Sequence, residues 1–133
     1  MRRRRCKMAE PYGVYRCNVC GNVVRVNLAG GGNLVCCGQP MILARPKSAE
    51  EGKEKHLPVV EKTPDGIRVE VGSLNHPMEQ KHWIAWVEVE TEGGYQQKFL
   101  KVGEEPVAEF FLKEEPKVVR AYCNVHGLWE YRL

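Results

Sequence analysis

His82-Trp83-Ile84-Ala85-Trp86-Val87-Glu88-Val89-Glu90, followed by Thr91-Glu92-Gly93-Gly94, is the stretch that decides the fold. Successive side chains of a strand point to opposite faces, so a period of two marks a half-buried strand and argues against a helix. Trp83, Ala85, Val87 and Val89 make the apolar face. The other face starts at His82 and ends with Glu88 and Glu90, becoming wetter along its length. Gly93-Gly94 is a hairpin signal that turns the chain back into a second strand over 95–102.

Working outward, the same pattern repeats. Downstream, short runs rich in Val, Phe, Tyr and Trp occupy 107–112, 118–123 and 128–132. Upstream, Pro64-Asp65-Gly66 is a turn leading into the alternating Ile67-Arg68-Val69-Glu70-Val71. Nearer the N-terminus, 14–16 and 22–26 read as short strands, and Ala29-Gly30-Gly31-Gly32-Asn33 reverses the chain into Leu34-Val35-Cys36-Cys37. No stretch sustains a helical period, so the fold class is all-β, with antiparallel sheets packed as a sandwich. The charged stretch 46–55 has no large apolar residue and reads as a linker. The expected organisation is a basic, disordered leader at 1–7, a small four-cysteine domain at 8–45, the linker at 46–55, and a β-sandwich at 56–133.

The chain has 133 residues, 43% hydrophobic and 28% charged, as in ordinary globular proteins. No apolar run approaches the roughly 20 residues that span a bilayer. No apolar stretch follows Arg2-Arg3-Arg4-Arg5 as a secretory signal would require, and a cytoplasmic protein is expected. The net charge of +3 comes from the leader: setting aside Arg2, Arg3, Arg4, Arg5 and Lys7 leaves 15 basic against 17 acidic residues. A near-neutral body argues against a broad nucleic-acid-binding face. Cys6, within the leader, reads as a free thiol. Trp83, Trp86, Trp129, Met41 and Met78 read as packing residues around the sites.

Six cysteines in a reducing compartment point to metal before disulfides. Cys17-Asn18-Val19-Cys20-Gly21 is a Cys-x-x-Cys knuckle, and Cys36 and Cys37 can complete a tetrahedron if the backbone turns sharply at Gly38. Such a site takes zinc or a single iron, and the spacing does not choose between them. All four histidines fall in compact polar segments: His56 ahead of Pro58, His76 ahead of Pro77, His82 opening the decisive strand, and His126 in Cys123-Asn124-Val125-His126-Gly127. Four imidazoles and one thiolate suit a redox-active first-row metal, provided tertiary folding gathers them at one end of the sandwich.

Glu54-Lys55-His56-Leu57-Pro58, the segment from His76 to His82, and Cys123-Asn124-Val125-His126-Gly127-Leu128-Trp129 resemble the metal-site motifs of superoxide reductases. The region from Tyr15-Arg16-Cys17-Asn18-Val19-Cys20-Gly21 through Leu34-Val35-Cys36-Cys37-Gly38-Gln39-Pro40-Met41 is similar to the desulforedoxin-like domain, and together they resemble the two-iron desulfoferrodoxins. The resemblance runs from Met8 to Leu133. It implies an Ig-like sandwich after a desulforedoxin-like domain, and reduction of superoxide to hydrogen peroxide. It further implies a catalytic iron with His56, His76, His82 and His126 as equatorial ligands and Cys123 as the axial thiolate. Glu54 would bind the sixth position in the ferric state and Lys55 would attract the anion. Cys17, Cys20, Cys36 and Cys37 would hold a rubredoxin-like iron, with zinc as the other metal open to that site. A homodimer re-reduced by rubredoxin or a similar small redox protein is implied, without membrane or nucleic-acid partners. The competing readings are a dismutase, a non-catalytic iron electron-transfer protein and a zinc-ribbon nucleic-acid module.

Overall fold

The computed structural model describes residues 8–48, 56–72 and 76–133. They form two compact units that divide between Arg45 and Pro46. The predicted leader, with Cys6, lies outside the described residues, as does most of the predicted linker.

In the first unit β1 (Val14–Arg16) lies between β2 (Val23–Arg25) and β5 (Ile42–Leu43), antiparallel to both. β3 (Val35–Cys36) and β4 (Gln39–Pro40) form a separate hairpin. Its two turn residues, Cys37 and Gly38, both have positive φ, 53° and 74°. That is the hairpin turn whose twist matches the flanking strands. The sharp turn expected at Gly38 is therefore shared by Cys37, a side-chain-bearing residue in a conformation that costs about 1–2 kcal/mol.

The second unit is a sandwich of two antiparallel sheets. One has the order β10 (Val107–Phe111), β7 (Gly66–Val71), β6 (Pro58–Thr63). The other has the order β12 (Gly127–Arg132), β11 (Val118–Cys123), β8 (Ile84–Thr91), β9 (Gly94–Phe99). Alternate residues of β7, β8 and β11 meet between the sheets: Ile67, Val69 and Val71 from the first, Val87, Val89, Val119, Ala121 and Cys123 from the second, with Phe110 and Leu100 beside them. Among the described residues the two sheets hold seven strands, the number of a constant-type Ig sandwich.

The decisive strand departs from simple alternation. Tyr122 pairs with Trp86 but Cys123 pairs with Ile84, so Ala85 is an extra residue in β8. A bulge of this kind shifts the alternation by one position. Ile84, not Trp83 or Ala85, therefore joins Val87 and Val89 in the core. The opposite face is not wet at Glu88, which is fully buried. Trp86 Nε1 donates to Glu88 Oε1 at 2.7 Å, and Arg120 Nη1 donates to Glu88 Oε2 at 3.1 Å. Arg120 also donates to Glu90 at 2.8 Å and to Glu130 at 3.3 Å, so one guanidinium ties three carboxylates across β8, β11 and β12.

Topology fixes where the strand ends go. Pro58 opens β6 opposite Val71, which closes β7. Cys123 closes β11 opposite Ile84 at the start of β8 and Gly127 at the start of β12. His56, His76, His82, Cys123 and His126 all sit within a few residues of these ends. Lys47, in the stretch read as linker, is paired with Trp129 of β12.

Candidate metal centres

The first group is Cys17, Cys20, Cys36 and Cys37, whose sulfurs all lie within 4.8 Å of one another. Cys17 is buried, and its sulfur accepts from the backbone N–H groups of Val19 and Cys20, each at 3.4 Å. The Cys20 N–H and then the Val19 N–H draw the Cys17 thiol down to about 6 against the opposing effect of burial. Cys20 and Cys36 sulfurs are 3.6 Å apart, and those of Cys36 and Cys37 3.9 Å apart. A tetrahedron with metal–sulfur bonds of about 2.3 Å has edges of about 3.8 Å, so the spacing fits a tetrahedral ion. Contact with the Cys20 and Cys17 sulfurs pushes Cys36 up to about 12, and Cys37 is raised for the same reason. Four sulfurs this close do not all ionise together unless a cation balances them.

The second group is His56, His76, His82, Cys123 and His126, again with ligand atoms all within 4.8 Å. The four rings form a closed circuit. Centroids are 4.7 Å apart for His56 and His76, 4.6 Å for His76 and His82, 5.0 Å for His82 and His126, and 4.6 Å for His126 and His56. Each of these neighbours meets edge-on, while His56 and His82 are 6.5 Å apart across the circuit. Cys123 is completely buried and belongs to the apolar core as well as to this group. Its sulfur accepts from the His126 N–H at 3.4 Å and lies 3.7 Å from His126 Nδ1.

The donor atoms are prepared for a cation. His76 Nδ1 donates to the Pro77 carbonyl at 2.7 Å, which leaves Nε2 as the bare lone pair. His76 Nε2 and His82 Nε2 are buried without a hydrogen-bond partner. Buried polar atoms are rarely left so, and two orphaned nitrogens in one cluster fit metal ligands. Burial, with the neighbouring imidazoles, draws His76 down to about 4 despite the lift from Pro77. His126 is lowered by burial, then by His82 and Lys47. Both imidazoles are thus held in the neutral form that binds metal. His56 Nε2 and His126 Nδ1 are 2.9 Å apart, close to the separation of about 3 Å for two nitrogens bound at right angles to one ion with bonds of about 2.1 Å.

The shell around these atoms contains residues that motif reading passed over. Asn124 Oδ1 accepts from the Trp83 N–H at 2.8 Å, and its Nδ2 donates to the Lys81 carbonyl at 3.0 Å. Its own N–H reaches the Trp83 carbonyl at 3.2 Å. One amide side chain therefore clips the backbone on both sides of His82 to the turn that carries Cys123 and His126. The signal was an Asn between two ligands, indistinguishable in sequence from a turn residue. Trp129, expected as packing, stacks on His56 with centroids 4.8 Å apart. The Met78 sulfur accepts from the Ile84 N–H, consistent with packing rather than ligation. Glu54 and Lys55 lie outside the described residues.

A family model described as Desulfoferrodoxin matches residues 48–132, and a second, described as Desulfoferrodoxin, N-terminal domain, matches residues 9–44. The chain belongs to the desulfoferrodoxin family. It is 52% identical over 123 residues to the desulfoferrodoxin of Nitratidesulfovibrio vulgaris, covering 92% of this chain and 98% of that one. It is 53% identical over 123 residues to the desulfoferrodoxin homolog of Archaeoglobus fulgidus, with the same coverage. Among solved structures it is similar to the superoxide reductase from Treponema pallidum, with a TM-score of 0.74 and 29% identity, covering 90% of this chain and 96% of that one. Within the desulfoferrodoxin family, the two ligand clusters are candidate four-cysteine and four-histidine, one-cysteine metal centres. Among the described residues no helix is long and apolar enough to cross a membrane.

Proposed function

We propose that this desulfoferrodoxin is a two-iron superoxide reductase, converting superoxide to hydrogen peroxide with electrons from an external donor. The observation that carries the reading is the convergence of four imidazoles and a buried cysteine sulfur within 4.8 Å, with two imidazole nitrogens left unpartnered. His56, His76, His82 and His126 hold the catalytic iron through ring nitrogens, and Cys123 holds it through its thiolate. Ferrous iron held there would supply the one electron that, with two protons, converts superoxide to hydrogen peroxide. Cys17, Cys20, Cys36 and Cys37 hold the second iron in the domain assigned to 8–45, and the catalytic domain is assigned to 56–133.

The chain's own residues do the rest. The Cys123 thiolate is kept in position by the His126 N–H and by the apolar core around it. Pro77 fixes the His76 tautomer. Lys55, which precedes His56 in the sequence, is assigned to draw the anion in, because positive charge focuses the field for a small anionic substrate. Glu54, two residues before His56 in the sequence, is assigned as the carboxylate that would bind the oxidised metal. Each turnover consumes an electron, which calls for a one-electron donor such as rubredoxin. A homodimer in the cytoplasm is the assembly and location that accord with the family resemblance and the free thiols.

Anaerobic mixing of the reduced, iron-loaded protein with pulse-generated superoxide tests the reading. Hydrogen peroxide should form as iron oxidises, without release of dioxygen. Catalytic dioxygen release would make the protein a dismutase, and zinc as the sole metal of the native protein would remove the two-iron reading.

A further inference from the structure

Lys47 lies outside every motif that marks the sites, yet four contacts tie it to one of them. Its backbone N–H donates to the Leu128 carbonyl at 2.8 Å, and its carbonyl accepts from the Glu130 N–H at 2.9 Å. These bonds stitch residue 47 to the free edge of β12 beside Trp129. The base of the side chain is therefore fixed even though the residue is exposed. Its ammonium donates to the His126 carbonyl at 2.9 Å and lies 5.4 Å from the centre of the Trp129 ring. That indole is stacked on His56. One cation thus touches the backbone of one cluster histidine and the aromatic cover of another.

We propose that Lys47 is a positioning residue whose fixed positive charge biases the four-histidine, one-cysteine centre toward its reduced ion. The inference rests on the proposed function, because it requires a redox-active metal in that cluster. In the couple concerned, the oxidised ion takes one electron from the external donor and becomes the reduced ion. No bond to Lys47 forms or breaks, and no proton moves on it. A nearby positive charge repels the more positive oxidised state more strongly, so it raises the reduction potential. With an effective dielectric of about 25 to 50 near a protein surface, one charge on the order of 10 Å away changes the reduced-to-oxidised balance by about threefold to tenfold. Because the ammonium is exposed, salt weakens the effect.

Redox titration of the iron-loaded full chain, followed by its visible spectrum, tests this. Lys47→Gln keeps a donor for the His126 carbonyl and removes the charge, while Lys47→Arg keeps the charge. At low salt, Lys47→Gln should lower the midpoint by about 30 to 60 mV, which is that threefold-to-tenfold change at 59 mV per tenfold. Lys47→Arg should stay within about twofold of the parent, and high salt should shrink the Gln effect. Cobalt(II) affinity of the cluster, measured in parallel, should change less than tenfold in either variant, since no ligand is removed. An unchanged midpoint in Lys47→Gln at low salt overturns the inference. So do equal drops in both variants, which would mean that the contact is only structural. If Cys123→Ser abolishes no redox couple of the parent protein, the proposed function fails and this inference fails with it.

Discussion

The four-cysteine group and the histidine group are held by opposite means. Cys17, Cys20, Cys36 and Cys37 sit on two turns of a unit whose strands are two or three residues long. Val19, Val24, Leu28, Val35 and Ile42 of that unit are exposed, and among its described residues the buried side chains are few: Val14, Tyr15, Cys17 and Val26. The histidine group instead closes one end of a sandwich with a twelve-residue buried cluster. In the first unit the ligand cluster has to stand in for a core. In the second the core exists first, and the ligands are delivered to it by strand ends. A small segment with little apolar burial depends on a metal for its fold, whereas a packed sandwich does not.

Metal removal is the most severe way to break this contrast. Stripping metal anaerobically with a strong chelator should abolish hydrogen-exchange protection of the Val14–Arg16 and Val23–Arg25 amides. Protection in Ile84–Thr91 and Val118–Cys123 should survive. If both units lost protection together, the sandwich would depend on its metal as the first unit does. Replacing Cys17 and Cys20 by Ser is the narrower version: the absorption of the first centre should vanish while superoxide reduction at the second persists. The ligand sets share no residue. Folded protein that kept its second iron but lost the reaction would show the two centres acting as one.

The contrast is sharpened from the other side by Arg120. Arg120→Leu leaves Glu88 buried without its guanidinium, and breaking a buried ion pair costs about 3–5 kcal/mol. The denaturant midpoint of the sandwich should fall accordingly, while thiolate-to-metal absorption of the first centre stays unchanged. A loss under about 1 kcal/mol would mean that Trp86 and water satisfy Glu88 unaided.

Glu88 also marks where sequence reading stopped. Strands, turns and both ligand sets were legible because each has a local signature: alternation, Gly-Gly, Cys-x-x-Cys, a histidine beside a proline. Ig-like topology came from resemblance, and the two-sheet strand order bears it out. The gathering of the histidines at one end of a sandwich was an expectation from the residues, and the structure brings their ring nitrogens and the Cys123 sulfur within 4.8 Å of one another. Glu88 was misread as wet because its partner, Arg120, is 32 residues away and becomes its neighbour only through the β8–β11 register. The Ala85 bulge was invisible for the same reason, since a bulge is defined by the partner strand. Lys47 read as linker because pairing to β12 leaves no local trace. What escaped was each long-range pairing whose residues look ordinary alone.

Asn124 supplies the smallest of these tests. Both polar atoms of its carboxamide are engaged: Oδ1 accepts from the Trp83 N–H and Nδ2 donates to the Lys81 carbonyl. Asn124→Ala removes at least these two side-chain hydrogen bonds, worth about 1–3 kcal/mol of sandwich stability together. The larger consequence should fall on the metal, because the clip sets where His82 stands relative to Cys123. Loss of groups that orient ligands lowers metal affinity by about 10- to 100-fold. Asn124→Asp is the informative partner: it can still accept from Trp83 but sets a carboxylate oxygen against the Lys81 carbonyl, so it should bind metal no better than Ala. Competition with a chromophoric chelator, read alongside the denaturant midpoint, separates the two effects. Equal metal affinity in Asn124→Ala and the parent would mean that the apolar core around Cys123 alone positions the cluster. The sandwich would then need no polar clip to do what the first unit does with turns.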